Sequence, residues 1–208
     1  MMLKKNAPVF AFVSLLAILA ACSSKPKEIG PAPPTFQVRF NTTKGPFTVL
    51  VHRDWSPHGA DRFYELATMH FFDGNYFFRV LPGFIVQWGI NGDPKVAKDW
   101  SVLNIADDPP KVSNKSGTVT FATAGPNSRS TQVFINLNNN TSLDSQGFTP
   151  FGEVSEGMDV VAKLYAGYGE GAPSGRGPDQ NAITDIGNPY LEEHFPRLDH
   201  ITKTQILK

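Results

Sequence analysis

Phe77-Phe78-Arg79-Val80-Leu81-Pro82-Gly83-Phe84-Ile85-Val86-Gln87 (residues 77–87) and Gly117-Thr118-Val119-Thr120-Phe121-Ala122-Thr123-Ala124-Gly125-Pro126 (residues 117–126), the latter running on to Ser130-Thr131-Gln132-Val133-Phe134-Ile135-Asn136, decide the fold. Both read as strands interrupted by Pro/Gly turns, and strand character extends over residues 71–90, 117–123, 131–137 and 148–154. Upstream, Phe36, Val38 and Phe40 alternate with polar residues, as do Phe47, Val49 and Val51. The turn-rich Asn41-Thr42-Thr43-Lys44-Gly45 between them predicts a hairpin with one buried face. Ala60, Phe63, Leu66 and Ala67 recur at helical spacing, and Met158, Val161 and Leu164 form a second stripe over residues 157–165. A short helical-looking stretch at 181–194 and a strand at 200–207 complete the chain. Many strands with two helices suggest a closed antiparallel barrel plugged at its ends, although periodicity alone does not separate it from a sandwich.

At 208 residues the chain has room for one ordinary domain or two small ones. Lys+Arg and Asp+Glu are both 19, so no electrostatic footprint for nucleic acid exists. Sixteen Phe supply a sizeable core with rings left over for a pocket, and 18 Gly with 17 Pro suit short strands joined by turns. His52, His58, His70, His194 and His200 show no ligand-like pairing, and one cysteine completes neither a thiolate site nor a disulfide. No metal and no cofactor are expected.

Lys4 and Lys5 precede an apolar run over residues 7–20, too short for a comfortable membrane span. The run ends in Leu19-Ala20-Ala21-Cys22, which resembles the lipobox of bacterial lipoproteins. Residues 1–21 are accordingly expected to be a signal peptide and Cys22 the lipidated first residue of the mature chain. Several acyl chains, at about 0.8 kcal/mol per buried methylene, anchor stably. Ser23 carries no charge that would argue for inner-membrane retention, so an outer-membrane anchor facing the periplasm is favoured. Residues 22–34, rich in Pro, Lys and Ser, read as an extended tether, leaving 35–208 as the folded domain.

The two opening stretches resemble cyclophilin motifs. Residues 77–87 are similar to the signature F-H-R-V-I-P-G-F-M-I-Q-G-G, and residues 122–135 to A-N-A-G-P-N followed by S-Q-F-F-I. Leu143-Asp144, Phe151-Gly152-Glu153-Val154 and the helix opening Gly157-Met158-Asp159-Val160-Val161 match further family patterns. The likeness runs from about Phe36 to Tyr165, leaving an extension from about residue 167. It implies an eight-stranded closed barrel capped by two helices and isomerisation of X-Pro bonds in unfolded or partly folded polypeptides; the chain is expected to be a monomer.

Turning a prolyl bond means losing amide resonance across a barrier of roughly 18–20 kcal/mol. A donor that reaches the prolyl nitrogen only as its lone pair emerges accelerates the reaction, because the contact exists mainly in the transition state. An arginine, always charged and with several donors, suits this, and the resemblance assigns the role to Arg79. Gln87 would orient Arg79 or the substrate carbonyl. The resemblance gives the proline slot to Phe84, Ile85, Phe134 and Leu143. Gln132 and the backbone of Ala122, Thr123 and Ala124 would hold the residues before proline.

Several positions depart from the family. Thr123 replaces the usual Asn, and Ser142 occupies the place of a Trp found in many eukaryotic members, which predicts weak cyclosporin binding. Phe148 takes the place of a rim His, keeping a ring and losing its polar handle. Trp88-Gly89-Ile90-Asn91-Gly92-Asp93 departs from G-G-D, leaving Gly92 as a loop contact. These departures keep open an alternative: a catalytically weak module that binds proline-containing segments in the cell envelope. Gly167-Tyr168-Gly169-Glu170-Gly171-Ala172 fits a loose G-x-G-x-x-A pattern but follows a helix, so the dinucleotide-binding context is missing. Whether the extension packs over the barrel or meets a partner is open at this level.

Overall fold

Alternation at every second residue produces the expected hairpin of Thr35–Thr42 (β1) and Gly45–His52 (β2) in the computed structural model, which describes residues 29–207. The expected signal peptide, residues 1–21, and Cys22 lie outside the described residues. Phe36, Val38, Phe40, Phe47, Val49 and Val51 are all buried, and Phe40 stacks on its register partner Phe47 at 5.0 Å. The turn is tighter than the sequence indicated: only Thr43 and Lys44 separate the strands, with Gly45 at φ +122°.

The other strands are Arg79–Leu81 (β3), Ile85–Trp88 (β4), Thr118–Phe121 (β5), Val133–Asn136 (β6), Pro150–Glu156 (β7) and Ile201–Leu207 (β8). They form one antiparallel sheet in the order β3-β4-β6-β5-β7-β2-β1-β8. The expected closed barrel is corrected here to an open half-barrel. β3 and β8 are edge strands that share no ladder. An isolated bridge between Tyr76 and His200, flanked by bonds such as Phe77 N–H to the Asp199 carbonyl (3.0 Å), is what joins the two ends. The reason lies in the chain before β3. Residues 69–74 are spent in turns, so β3 is too short to pair along both sides.

Pro57–Thr68 (α1) buries Ala60, Phe63, Leu66 and Ala67 as the periodicity predicts. Pro94–Ser101 (α2) was not anticipated, although its start carries a signal. The Asp93 carboxylate accepts the backbone N–H of Lys95 at 2.8 Å, and Pro94 occupies the first turn, where its missing N–H costs nothing. The helix expected over 157–165 is reduced to one turn, Met158–Val161 (α3). The stretch at 181–194 divides into Gln180–Ile186 (α4) and Asn188–His194 (α5) around Gly187, where φ is +79° and a Cβ would lie 2.2 Å from the Gly92 carbonyl. The described residues thus hold five helices where two and one further helical stretch were expected, the additions being α2 and the division of 181–194. Gly92 meets the extension: its carbonyl accepts the Asn188 N–H at 3.1 Å.

Trp88 centres the core, with the rings of Phe40, Phe47, Phe72 and Phe77 between 5.7 and 6.4 Å away. A second apolar cluster joins Phe78, Ile90 and Ala97 to Ile183, Leu191 and Leu198, so the extension packs against α2 and the segments flanking β3 and β4. The cap of α1 comes from far along the chain. Ser56 donates its hydroxyl to Asp108 (2.5 Å), and Asp108 accepts the N–H groups of His58 (3.1 Å) and Gly59 (3.0 Å). Arg129, 2% exposed, completes the cluster at 3.0 Å from Asp108. The described end of the proline-rich stretch is docked, since Ala32 is buried and donates its N–H to Asp61 at 2.9 Å.

Candidate active site

Period two builds the site on the outer face of the same strands that hold the core. In β4, Val86 and Trp88 belong to the core, which turns Ile85 and Gln87 outward; in β6, Val133 and Ile135 point in, and Phe134 and Asn136 point out. The register then aligns Arg79 with Gln87, Gln87 with Phe134, and Phe134 with Thr120, one row across β3, β4, β6 and β5. Directly opposed residues in such a row lie about 4.5–5.5 Å apart, close enough to interact.

Ile85, Phe134 and Leu143 form a buried apolar cluster of their own, with Phe84, Ala122 and Phe148 packed against it. Phe148 meets Phe134 edge to face at 5.7 Å. Leu143 sits on a 3₁₀ turn, Thr141–Gln146, fixed by its neighbour Asp144, which accepts the Asn114 N–H (2.8 Å) and the Ser113 hydroxyl (2.5 Å). Burial opposes ionisation of Asp144, yet these hydrogen bonds prevail and hold its carboxyl below the usual range. Asn140 ties the turn to the residue before β4 by donating to the Phe84 carbonyl at 2.9 Å.

A cavity of about 460 Å³ opens over this cluster, and all eleven candidate residues line it: Arg79, Gln87, Phe84, Ile85, Ala122, Thr123, Ala124, Gln132, Phe134, Leu143 and Phe148. Ser142 is exposed and lies outside the lining. The Thr123 hydroxyl braces its own loop, 2.9 Å from the Ser128 hydroxyl and 2.5 Å from the Gly125 carbonyl it donates to.

Arg79 is held on two sides. Its Nη1 donates to Gln87 Oε1 at 3.1 Å, and Gln87 Nε2 donates in turn to Gln132 Oε1 at 2.8 Å. Its Nε and Nη2 each donate to the Glu170 carboxylate at 2.6 Å. The guanidinium carbon stands 5.8 Å from the centre of the Phe84 ring. The bond from Arg79 holds the Glu170 carboxyl below its ordinary range.

Sequence reasoning missed Ser128, Ser130, Gln146 and Gln180 on the cavity wall, and Glu170, which lies behind Arg79 and outside the lining. The serines fall inside the matched motif stretch and were within reach of it. Nothing in the sequence pointed to Glu170, which lies 91 residues from its partner in a glycine-rich loop.

An outward apolar slot with a fixed guanidinium at its rim defines a peptide-sized cleft on an antiparallel half-barrel. Such a cleft suits non-covalent chemistry on a cyclic, apolar side chain. The chain belongs to the cyclophilin family: the description "Cyclophilin type peptidyl-prolyl cis-trans isomerase/CLD" matches residues 36–186, past the start of the extension and through Glu170 and Gln180. It is a peptidyl-prolyl cis-trans isomerase. It is 34% identical over 131 residues to "Peptidyl-prolyl cis-trans isomerase CYP18-2" of Arabidopsis thaliana, covering 62% of this chain and 79% of that protein. It is 32% identical over 137 residues to "Peptidyl-prolyl cis-trans isomerase B" of Escherichia coli K12, covering 61% of this chain and 82% of that protein. The fold is shared with a cyclophilin type peptidyl-prolyl cis-trans isomerase of Cryptosporidium parvum, with a TM-score of 0.60 at 18% identity, covering 84% of this chain and 98% of that one. The same protein has been crystallised in the presence of the dipeptide Ala-Pro.

Proposed function

We propose that this isomerase acts on X-Pro bonds of exported polypeptides and does so without a covalent intermediate, through Arg79. The observation that supports this reading is the position of the Arg79 guanidinium, on the rim of the apolar slot and 5.8 Å from the Phe84 ring. The proline ring enters between Phe84, Ile85, Phe134, Leu143 and Phe148, while Gln132 and the backbone of Ala122, Thr123 and Ala124 hold the preceding residues. The crystallisation of the Cryptosporidium protein of this fold in the presence of the dipeptide Ala-Pro supports a proline-containing ligand here.

As the imide twists, its nitrogen gains a lone pair, and a fixed N–H of Arg79 bonds it only then. Lowering the barrier by about 4 kcal/mol gives roughly a thousandfold acceleration. One preorganised charge-assisted donor supplies most of that, since deleting such a donor commonly costs about 10²–10³ in rate.

The sequence Leu19-Ala20-Ala21-Cys22 supports export and lipidation at Cys22, with the monomeric domain held on the periplasmic side of the outer membrane. The decisive measurement is prolyl isomerisation of a model peptide by the full chain and its Arg79→Ala variant. A loss of about a hundredfold or more in kcat/KM is expected; equal activity removes Arg79 from the mechanism. For the anchor, Cys22→Ala is expected to move the protein from the membrane to the soluble envelope fraction, and unchanged membrane retention refutes lipidation there.

A further inference from the structure

We propose that Glu170 is a positioning residue of the isomerase, fixing the Arg79 guanidinium by its lateral edge so that its remaining donors face the slot. The inference rests on the reading of Arg79 given above.

A guanidinium carries five N–H donors. Two go to Glu170 and one to Gln87, which leaves one on Nη1 and one on Nη2. Glu170 engages Nε and Nη2, the side of the fork, and so restrains the plane without consuming every donor at its tip. Gln87 alone would restrain a single nitrogen and leave the long side chain free to swing off the Phe84 ring.

The carboxylate is itself held by a purpose-built loop. Its Oε1 also accepts the Gly171 N–H at 2.9 Å, and the Glu170 carbonyl accepts the Gly177 N–H at 2.7 Å. A Cβ at Gly175 would fall 2.2 Å from that carbonyl, and one at Gly177 2.8 Å from it, so the loop closes this tightly only because those residues are glycine. Just upstream, Tyr168 packs edge to face between Tyr165 (5.1 Å) and Phe195 (5.0 Å), docking the loop on the second apolar cluster. A structural ion pair with Arg79 20% and Glu170 38% exposed contributes little to stability by itself. Its consequence lies in orientation, where small misplacements of a catalytic group are costly.

The test measures kcat and KM of the full chain for wild type, Glu170→Ala, Glu170→Gln, Arg79→Ala and the double variant Arg79→Ala/Glu170→Ala, each checked for folding by circular dichroism. Glu170→Ala is expected to lower kcat about tenfold with KM within about twofold, because the slot is untouched. Glu170→Gln, close in shape and still an acceptor, is expected to lie between wild type and Ala; it decides the matter if Ala does not fold. In the Arg79→Ala background the Glu170 substitution is expected to change the rate by less than about twofold, the signature of acting through Arg79. An unchanged or raised kcat in both Glu170 variants overturns the proposal, a rise meaning that the carboxylate withholds the arginine. A full tenfold loss persisting without Arg79 overturns it as well. Wild-type activity in Arg79→Ala alone brings down the underlying reading of Arg79, an outcome distinct from the other two.

Discussion

Replacing Asp108 with alanine removes the hub that joins α1 to the loop before β6. Four interactions go with it: the Ser56 hydroxyl, the N–H groups of His58 and Gly59, and the Arg129 guanidinium. Removing one partner of a buried ion pair costs about 3–5 kcal/mol, because the other charge is left uncompensated. Losing a helix cap adds about 1 kcal/mol. Asp107, 3.4 Å from Arg129 Nε, remains as a partial partner and brings the total to about 3–4 kcal/mol. That is a large share of the roughly 5–15 kcal/mol that holds a domain together. Urea denaturation of Asp108→Ala against wild type measures it, and a loss under about 1 kcal/mol would refute the reasoning. Asp108→Asn isolates the charge. Burial alone would raise the Asp108 pKa, but the hydrogen bonds from Ser56, His58, Gly59 and Arg129 outweigh it and hold the carboxyl below its ordinary value. A depressed native pKa gives stability that is fully present above the unfolded value, about 3.9, and is lost as pH falls through the native one. The gap between wild type and Asp108→Asn is therefore expected to be constant from neutrality to about pH 5 and to shrink below about pH 4. Because Asp108 does not line the cavity, kcat/KM of the folded variants is expected to stay within about twofold of wild type.

Phe134→Ala removes the slot's floor, a side chain in an outer cluster separate from the main core. We expect KM to rise severalfold, with a stability loss below the roughly 3–5 kcal/mol of a core Phe→Ala change. A larger loss in urea titration would place Phe134 in the main core. Cyclosporin is expected to bind weakly, since exposed Ser142 offers no ring at the cleft; a nanomolar Kd by calorimetry would contradict this. Gly89→Ala drives a Cβ to 2.4 Å from the Thr131 carbonyl at φ +112°, and we expect a loss of about 1–3 kcal/mol. A melting temperature equal to wild type would count against that close approach.

The hairpin was legible from short-range alternation alone, and the slot from the family resemblance, since Phe84, Ile85 and Phe134 fall within the two opening motifs and Leu143 in a shorter match of its own. Phe84, Ile85 and Phe134 needed only period two and the match to be placed. Closure of the sheet was not legible, because strand-like composition over 71–90 does not tell turns at 69–74 from pairing that extends β3. α2 was missed although Asp93-Pro94 announces a helix start, since its 8 residues are too few for a helical period to stand out. Glu170 was beyond reach for a different reason. A carboxylate in a Gly/Pro-rich loop is normally solvated, and only the tertiary approach of that loop, allowed by Gly175 and Gly177, brings it to Arg79.

Consecutive residues such as Phe134 and Ile135, or Gln87 and Trp88, serve opposite faces of one strand. Deleting a single residue from β4 would exchange their fates, sending an indole into the cleft and an amide into the interior. Change in these strands is thereby confined to substitution, and length variation is exported to the connecting loops.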